Sequence, residues 1–231
     1  MSRGAAVVVG ASRGIGLGLA KRLEQNGWNV YGTMRKAPQG AKPFANVIEN
    51  VDVSTAACKE TLQKGLTGVD KIGLLVYNAG IATLTENFAL EKVSEVDVDD
   101  IARQIDINAL GALRVVQALD DKLTDGSKCL FTSTRMASIG LADDGAMYGY
   151  RTSKTALNMI VKNISTEYTE RGIAVTLAHP GVVKTDMTGH FEGGISVDTA
   201  VDGFIRVIDE MSLKTHNASL VDIATSETLP W

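Results

Sequence analysis

Two rhythms of apolar residues alternate along this chain. Short, continuously apolar runs of strand length recur, and between them apolar residues fall at every third or fourth position. The first rhythm marks strands covered on both faces, the second helices with one buried side. The first run is "AAVVVG" (Ala5 to Gly10), and a helical pattern follows from Gly14 to Asn26, with Ile15, Leu19 and Leu23 on one face and Gly27 as its stop. Trp28 to Met34 and Asn46 to Val53 read as strands, and a polar helix begins at Ser54. Further strands are predicted at Lys71 to Gly80, Lys128 to Ser133, Ile173 to Gly181 and Ser219 to Ile223. Helices are predicted between them at Val98 to Leu119, Tyr148 to Glu170 and Thr199 to Met211. Strand and helix in strict alternation predict an α/β fold, a doubly wound parallel sheet of about seven strands with helices on both faces. No linker, repeat or low-complexity tract interrupts residues 1–231, so one domain is expected.

Between the first strand and the first helix lies "GASRGIG". Glycines at 10, 14 and 16 permit a tight turn and the approach of a phosphate to the backbone, and the helix start offers free N–H groups to an anion. A glycine trio after the first buried strand and before a helix is the context of a Rossmann-type dinucleotide site. Gly10, Ser12, Arg13, Gly14, Ile15 and Gly16 are its candidate residues, with Ser12 as a helix cap or phosphate ligand.

Further along, "NAG" (Asn78, Ala79, Gly80) closes the fourth strand, Asn108 lies in "DINALG", and Tyr150 and Lys154 form Y-x-x-x-K, followed by "TALN". The stretch "HPGVVKTDM" (His179 to Met187) follows the sixth strand. With the spacing G-x-x-x-G-x-G at the turn, these five landmarks in order resemble the short-chain dehydrogenase/reductase family over about Ala5 to Met187. "YRTSKTALN", "HPGVVKTDM" and the final "LPW" are most similar to its small carbonyl-reductase branch, that of the C-factor-like proteins and sniffer. The resemblance implies an oxidoreductase in which Tyr150 donates a proton, Lys154 binds the nicotinamide ribose, and Asn108 holds a relay water. It also implies that Asn78, Ala79 and Gly80 border the cofactor, that Val183 and Thr185 lie against the nicotinamide, and that Asp52 and Val53 meet the adenine. Residues four apart share a helix face, so a Lys154 cation beside Tyr150 is expected to lower the phenol from its usual value of about 10.

One position departs from the family pattern. Where the second serine of "SS" is usual, "TSTRMASIG" has Thr134, with Ser133 before it. Both hydroxyls can donate to a carbonyl, and successive strand side chains face opposite ways. Thr134 is the favoured candidate and Ser133 the alternative. The second strand ends "GTMRK" without the carboxylate that an NAD site uses for its ribose. Arg35 and Arg13 together suit a 2′-phosphate, so NADP(H) is the expected cofactor. His190 and Phe191 in "DMTGHFEGGIS", and the opposite rim "ADDG" (Ala142 to Gly145), are candidate walls for a small carbonyl or alcohol substrate.

Composition removes other classes. A formal net charge of −4 gives no basic footprint, so nucleic acid is not an expected partner. Two cysteines make no disulfide framework and read as buried thiols of a reducing, cytoplasmic compartment. Ser12 and Arg13 cut the N-terminal apolar run short, and no stretch reaches membrane-spanning length, so neither a signal peptide nor a membrane partner is expected. No metal site is expected. Ala156, Met159, Ile160 and Ile164 give the Tyr148–Glu170 helix apolar surface beyond its catalytic face, which predicts a homo-oligomer, dimer or tetramer.

Overall fold

The computed structural model describes residues 3–36, 40, 42–84, 90–142 and 145–231. Its strands are β1 (Ala5–Val9), β2 (Asn29–Thr33), β3 (Asn46–Ile48), β4 (Ile72–Tyr77), β5 (Lys128–Thr132), β6 (Ala174–His179), β7 (Ser219–Asp222) and β8 (Thr228–Leu229). They form one sheet in the order β3-β2-β1-β4-β5-β6-β7-β8. All neighbours pair in parallel except β7 and β8. The expectation of about seven strands thus holds for the parallel sheet, and β8, two residues long, adds an antiparallel edge too short to leave an apolar run.

The helices are α1 (Gly14–Gln25), α2 (Ala57–Gly65), α3 (Val98–Ile105), α4 (Gly111–Leu119), α5 (Tyr148–Glu170) and α6 (Val197–Glu210). Alternation along β1 sorts them onto the two faces of the sheet. Val7 and Val9 join a cluster with Leu62 of α2, Val115 and Leu119 of α4, and Leu157 and Val161 of α5. Ala6 and Val8 join a second cluster with Leu19 and Leu23 of α1 and Phe204 and Val207 of α6. Both cysteines are free and buried. Among the described residues, no helix is long and apolar enough to cross a membrane.

Three expectations need correction. The strand expected from Asn46 to Val53 pairs only over Asn46–Ile48, because Asn50 takes φ +60° and turns the chain out of the sheet. The helix expected from Val98 to Leu119 contains a π-helical turn over Asp106–Leu110. On α5, Ala156, Ile160 and Ile164 are partly buried against the core, and only Met159 of the four stands in solvent, 63% exposed.

Trp231 follows the edge strand β8 and is partly exposed. Its carbonyl accepts from Gly140 N at 3.0 Å, and Lys162 Nζ lies 5.5 Å from its ring centre.

Candidate active site

The sheet order reverses between β1 and β4, and a cavity of about 410 Å³ opens at the carboxyl ends of these strands. A crevice at that reversal is where open α/β sheets take their ligands. The cavity runs from Arg35, Asp52 and Val53 past the glycine turn to Tyr150, Lys154 and Thr132. Gly10, Ser12, Arg13, Gly14, Ile15, Asn78, Ala79, Gly80, Val183 and Thr185 also line it.

The turn is built by contacts that exclude side chains. A Cβ on Gly10 would come within 2.8 Å of the Ala79 backbone, and Gly10 itself sits at φ +83°. Gly16 does not line the cavity: a Cβ there would collide with the Gly10 carbonyl oxygen, so this glycine serves close packing. Ser12 does not cap α1 either. The cap position is Arg13, with no side-chain hydrogen bond, and the first turn carries no acidic residue. That helix start, its dipole uncompensated, is open to an anion.

Toward the adenosine end, Asp52 accepts from the Ser54 hydroxyl at 2.6 Å and from Ser54 N at 3.0 Å. These bonds hold its carboxyl below the usual range, and Arg35 adds to them against the effect of burial. Ser54 carries no motif signal, yet it fixes the orientation of Asp52. Arg13 is less free than its sequence position implies. Its guanidinium pairs with Asp186 at 2.6 Å, and His190 Nε2 lies 3.0 Å from the other oxygen of that carboxylate. His190 therefore lines the cavity as a partner of Asp186. Phe191 is 49% exposed and lies outside the cavity lining. Of the rim "ADDG", residues 143 and 144 lie outside the described residues.

At the inner end, α5 grips the turn after β5. The Thr134 side chain faces Tyr150 closely enough to oppose the rise of its phenol. One helical turn on, Lys154 Nζ donates to the Thr132 carbonyl at 2.8 Å; another turn on, Asn158 Oδ1 accepts from Ser133 Oγ at 2.6 Å. Thr134 therefore faces Tyr150, while Ser133 is spent in the core on Asn158. Thr134 lies just behind the cavity wall rather than on it, as do Ser133 and Asn108.

Electrostatics run against one expectation. Burial pushes Tyr150 up to about 12, and the Thr134 side chain only partly opposes it. Lys154, its Nζ 6.0 Å from the ring centre and engaged with Thr132, does not lower the phenol. Burial instead draws Lys154 itself down to about 8. Helical spacing brings the pair onto one face, and burial of that pocket raises the one group and lowers the other.

Asn108 is fully buried. Its Nδ2 donates to Ile81 O and to Ser153 Oγ, each at 2.9 Å, and its Oδ1 accepts from Ile81 N at 2.8 Å. The side chain is thus a clasp on Ile81, a wall residue of the cavity, rather than a free ligand for water. Gly80 makes the arrangement possible, since a Cβ there would lie 3.1 Å from Asn108 Oδ1 and 3.5 Å from Lys154 Nζ. Among the described residues no cluster suits a metal ion.

Residues 4–194 match the family model described as short chain dehydrogenase. The chain belongs to the short-chain dehydrogenase/reductase family. Among curated family members, it is 34% identical over 215 residues to 1-hydroxy-2-glutathionyl-2-methyl-3-butene dehydrogenase of Rhodococcus sp. (strain AD45), covering 90% of this chain and 92% of that one. It is 36% identical over 162 residues to C-signal of Myxococcus xanthus, covering 69% of this chain and 93% of that one. Among solved family structures, a carbonyl reductase from Pseudomonas aeruginosa PAO1 in complex with NADP matches at TM-score 0.81 and 30% identity, over 99% of this chain and 100% of that one. The carbonyl reductase Sniffer of D. melanogaster matches at TM-score 0.85 and 25% identity over 100% of both chains. The resemblance carried by the motifs is borne out.

Proposed function

We propose that this short-chain dehydrogenase/reductase is an NADPH-dependent carbonyl reductase, taking aldehydes or ketones to alcohols. The observation that carries the reading is Tyr150 facing the Thr134 side chain, with Lys154 one turn along the same helix, at the inner end of the cavity that the glycine turn borders. The cavity fits the cofactor: its glycine turn closes on the Ala79 backbone and leaves the α1 start open to phosphate. The family and its NADP-bound carbonyl reductase neighbour support NAD(P). Arg35 and Arg13, with no carboxylate after β2, favour the 2′-phosphorylated form.

Bound there, the nicotinamide supplies hydride. The protein's own residues handle the oxygen and the proton. Tyr150, which lines the cavity, would present its hydroxyl to the carbonyl oxygen, and Thr134, facing Tyr150 from behind, would turn its hydroxyl toward that oxygen as charge develops. Tyr150 stays protonated at neutral pH, and an alkoxide is a far stronger base than its phenolate, so the proton moves to product. Lys154 would hold the nicotinamide ribose, and Asn108, behind Gly80, fixes the inner wall beside it.

NADPH oxidation followed against a panel of aldehydes and ketones tests the reading, with Tyr150→Phe as the control. Turnover that drops by about two orders of magnitude in the variant, with NADPH binding retained, is expected for loss of a general acid. Undiminished turnover in the variant would remove Tyr150 from the role. Similarity to C-signal favours a second reading, an NADP-binding regulatory protein without turnover. NADPH binding with no oxidation across the panel selects it.

The reading extends to a single-domain cytoplasmic enzyme, supported by its two buried free thiols. It also includes a homo-oligomer joined through the α5 face around Met159, and a sedimentation mass of one chain at micromolar concentration would refute that.

A further inference from the structure

Asn108 stands on the π-helical turn, and the cause of that turn is visible. In an unbroken α-helix the Gly111 N–H would bond to the Ile107 carbonyl four residues back. Here Tyr77 Oη, at the end of β4, donates to the Ile107 carbonyl at 2.6 Å. The Gly111 N–H is bonded instead to Asp106 O, one residue further back. Gly111 is the residue that admits the hydroxyl, since a Cβ there would lie 2.6 Å from Tyr77 Oη and 2.9 Å from Val53. Arg114 closes the other side, donating to the Asp106 carbonyl at 3.3 Å and to its carboxylate at 2.6 Å. The Ile107 carbonyl, the Gly111 N–H and the Asp106 carbonyl, all displaced from their α-helical pairing, thus each have another partner.

A π turn inserts an extra residue into the helical repeat and rotates the side chains that follow relative to those before it. We propose that the Tyr77 hydroxyl is a positioning device for the reaction: by holding Ile107 out of the α ladder it turns Asn108 onto Ile81 and Ser153 and fixes the inner wall beside Lys154. Tyr77 touches neither the cavity nor Asn108's bonds, so its effect passes through the turn. Its ring is fully buried and lies 6.2 Å from that of Phe131, a packing role that needs no hydroxyl. The hydroxyl does its separate work at Ile107. This inference rests on the carbonyl-reductase reading for its catalytic consequence, and on geometry alone for the turn.

Tyr77→Phe keeps the ring and removes the hydroxyl, and the Ile107 carbonyl can then recover the Gly111 N–H, so the chain is expected to fold. Two readouts separate the proposal from the reading beneath it. The first is the side-chain amide of Asn108 in a 15N-labelled protein, assigned by its loss in Asn108→Asp. Its two protons, held by Ile81 and Ser153, should exchange slowly in the wild type. In Tyr77→Phe they should shift and exchange at least about tenfold faster, whether or not any carbonyl is turned over. The second is kinetic: kcat should fall about ten- to a hundredfold, the scale of a small misplacement of a reacting group, while the NADPH dissociation constant stays unchanged. An Asn108 amide unmoved and still protected in Tyr77→Phe would overturn the proposal. So would a moved amide with kcat intact in a wild type that reduces carbonyls. Where Tyr77→Phe does not accumulate, Tyr77→Leu removes the same hydroxyl and the same outcomes apply.

Discussion

Arg13 Nη1 donates to Asp186 Oδ2 at 2.6 Å, joining residues 173 positions apart across the mouth of the cavity. The pair ties the glycine turn to the segment after β6, and a second contact lies beside it: a Cβ on Gly14 would meet Thr185 Cγ2 at 3.3 Å. A 2′-phosphate would compete with Asp186 for the same guanidinium. Asp186→Asn removes the competitor and keeps its shape. NADPH affinity should then rise, by no more than about fivefold for so exposed a pair, while NADH affinity stays put. Arg35→Asp should act in the opposite sense, weakening NADPH far more than NADH because attraction becomes repulsion. Fluorescence titration with both cofactors reads both variants, and equal shifts for the two would separate these arginines from the phosphate.

The pH dependence should belong to Lys154. Burial lowers it to about 8, so its charge is present below that pH and is lost as pH rises through it. Tyr150, near 12, remains protonated across the same range. Reduction needs both protons in place, so kcat/KM should be level near neutrality and decline above about pH 8. Lys154→Arg, slower though it will be, should lose that alkaline limb because guanidinium does not titrate there. A limb retained in Lys154→Arg would assign it to another group.

The two hydroxyls after β5 should separate cleanly. Thr134 faces Tyr150, so Thr134→Val leaves the developing oxyanion one donor short and should cost about a hundredfold in kcat. Thr134→Ser keeps the donor and should be tolerated. Ser133 bonds Asn158 in the core, and Ser133→Ala should cost far less activity. Steady-state rates of the three variants check the order, and a crippled Ser133→Ala beside a mild Thr134→Val would reverse the assignment.

What could be read in the sequence was whatever is local in the chain. Continuous apolar runs located the parallel strands, and α5 was bounded correctly at Tyr148 and Glu170 because its flanks break the helical rhythm. The Tyr150–Lys154 spacing put both on one face. What the sequence hid depends on atoms brought together from afar. No periodicity shows that Tyr77 would take the Ile107 carbonyl and insert a π turn, or that Asp186 would meet Arg13. The alternation of strand side chains left Thr134 and Ser133 as rivals, and the partner that separates them, Asn158, lies two helical turns beyond Tyr150. The direction of the Tyr150 shift was misjudged for a related reason: spacing reveals a neighbouring charge but not the depth of the pocket around it.

His179 supplies a stability test independent of any substrate. It ends β6, is 7% exposed, and its Nδ1 accepts from Gly181 N at 3.4 Å, a role open only to the neutral ring. Burial lowers it to about 4; Asp222 opposes that shift and Arg135 adds to it. In the unfolded chain the same ring titrates near 6.5. Between these two values the unfolded state binds the proton and the folded state does not. Stability therefore rises with pH across that window and is lost as pH falls from 6.5 toward 4. At pH 5 the loss relative to pH 7 should be about 2 kcal/mol from this one group. Urea denaturation at the two pH values, on the wild type and on His179→Asn, measures it. The variant can be less stable at both, since asparagine will not fill the ring's place, but its change between pH 7 and 5 should be smaller by about that amount. The same pH dependence in both proteins would show that the acid sensitivity arises elsewhere and that His179 accepts its proton while folded.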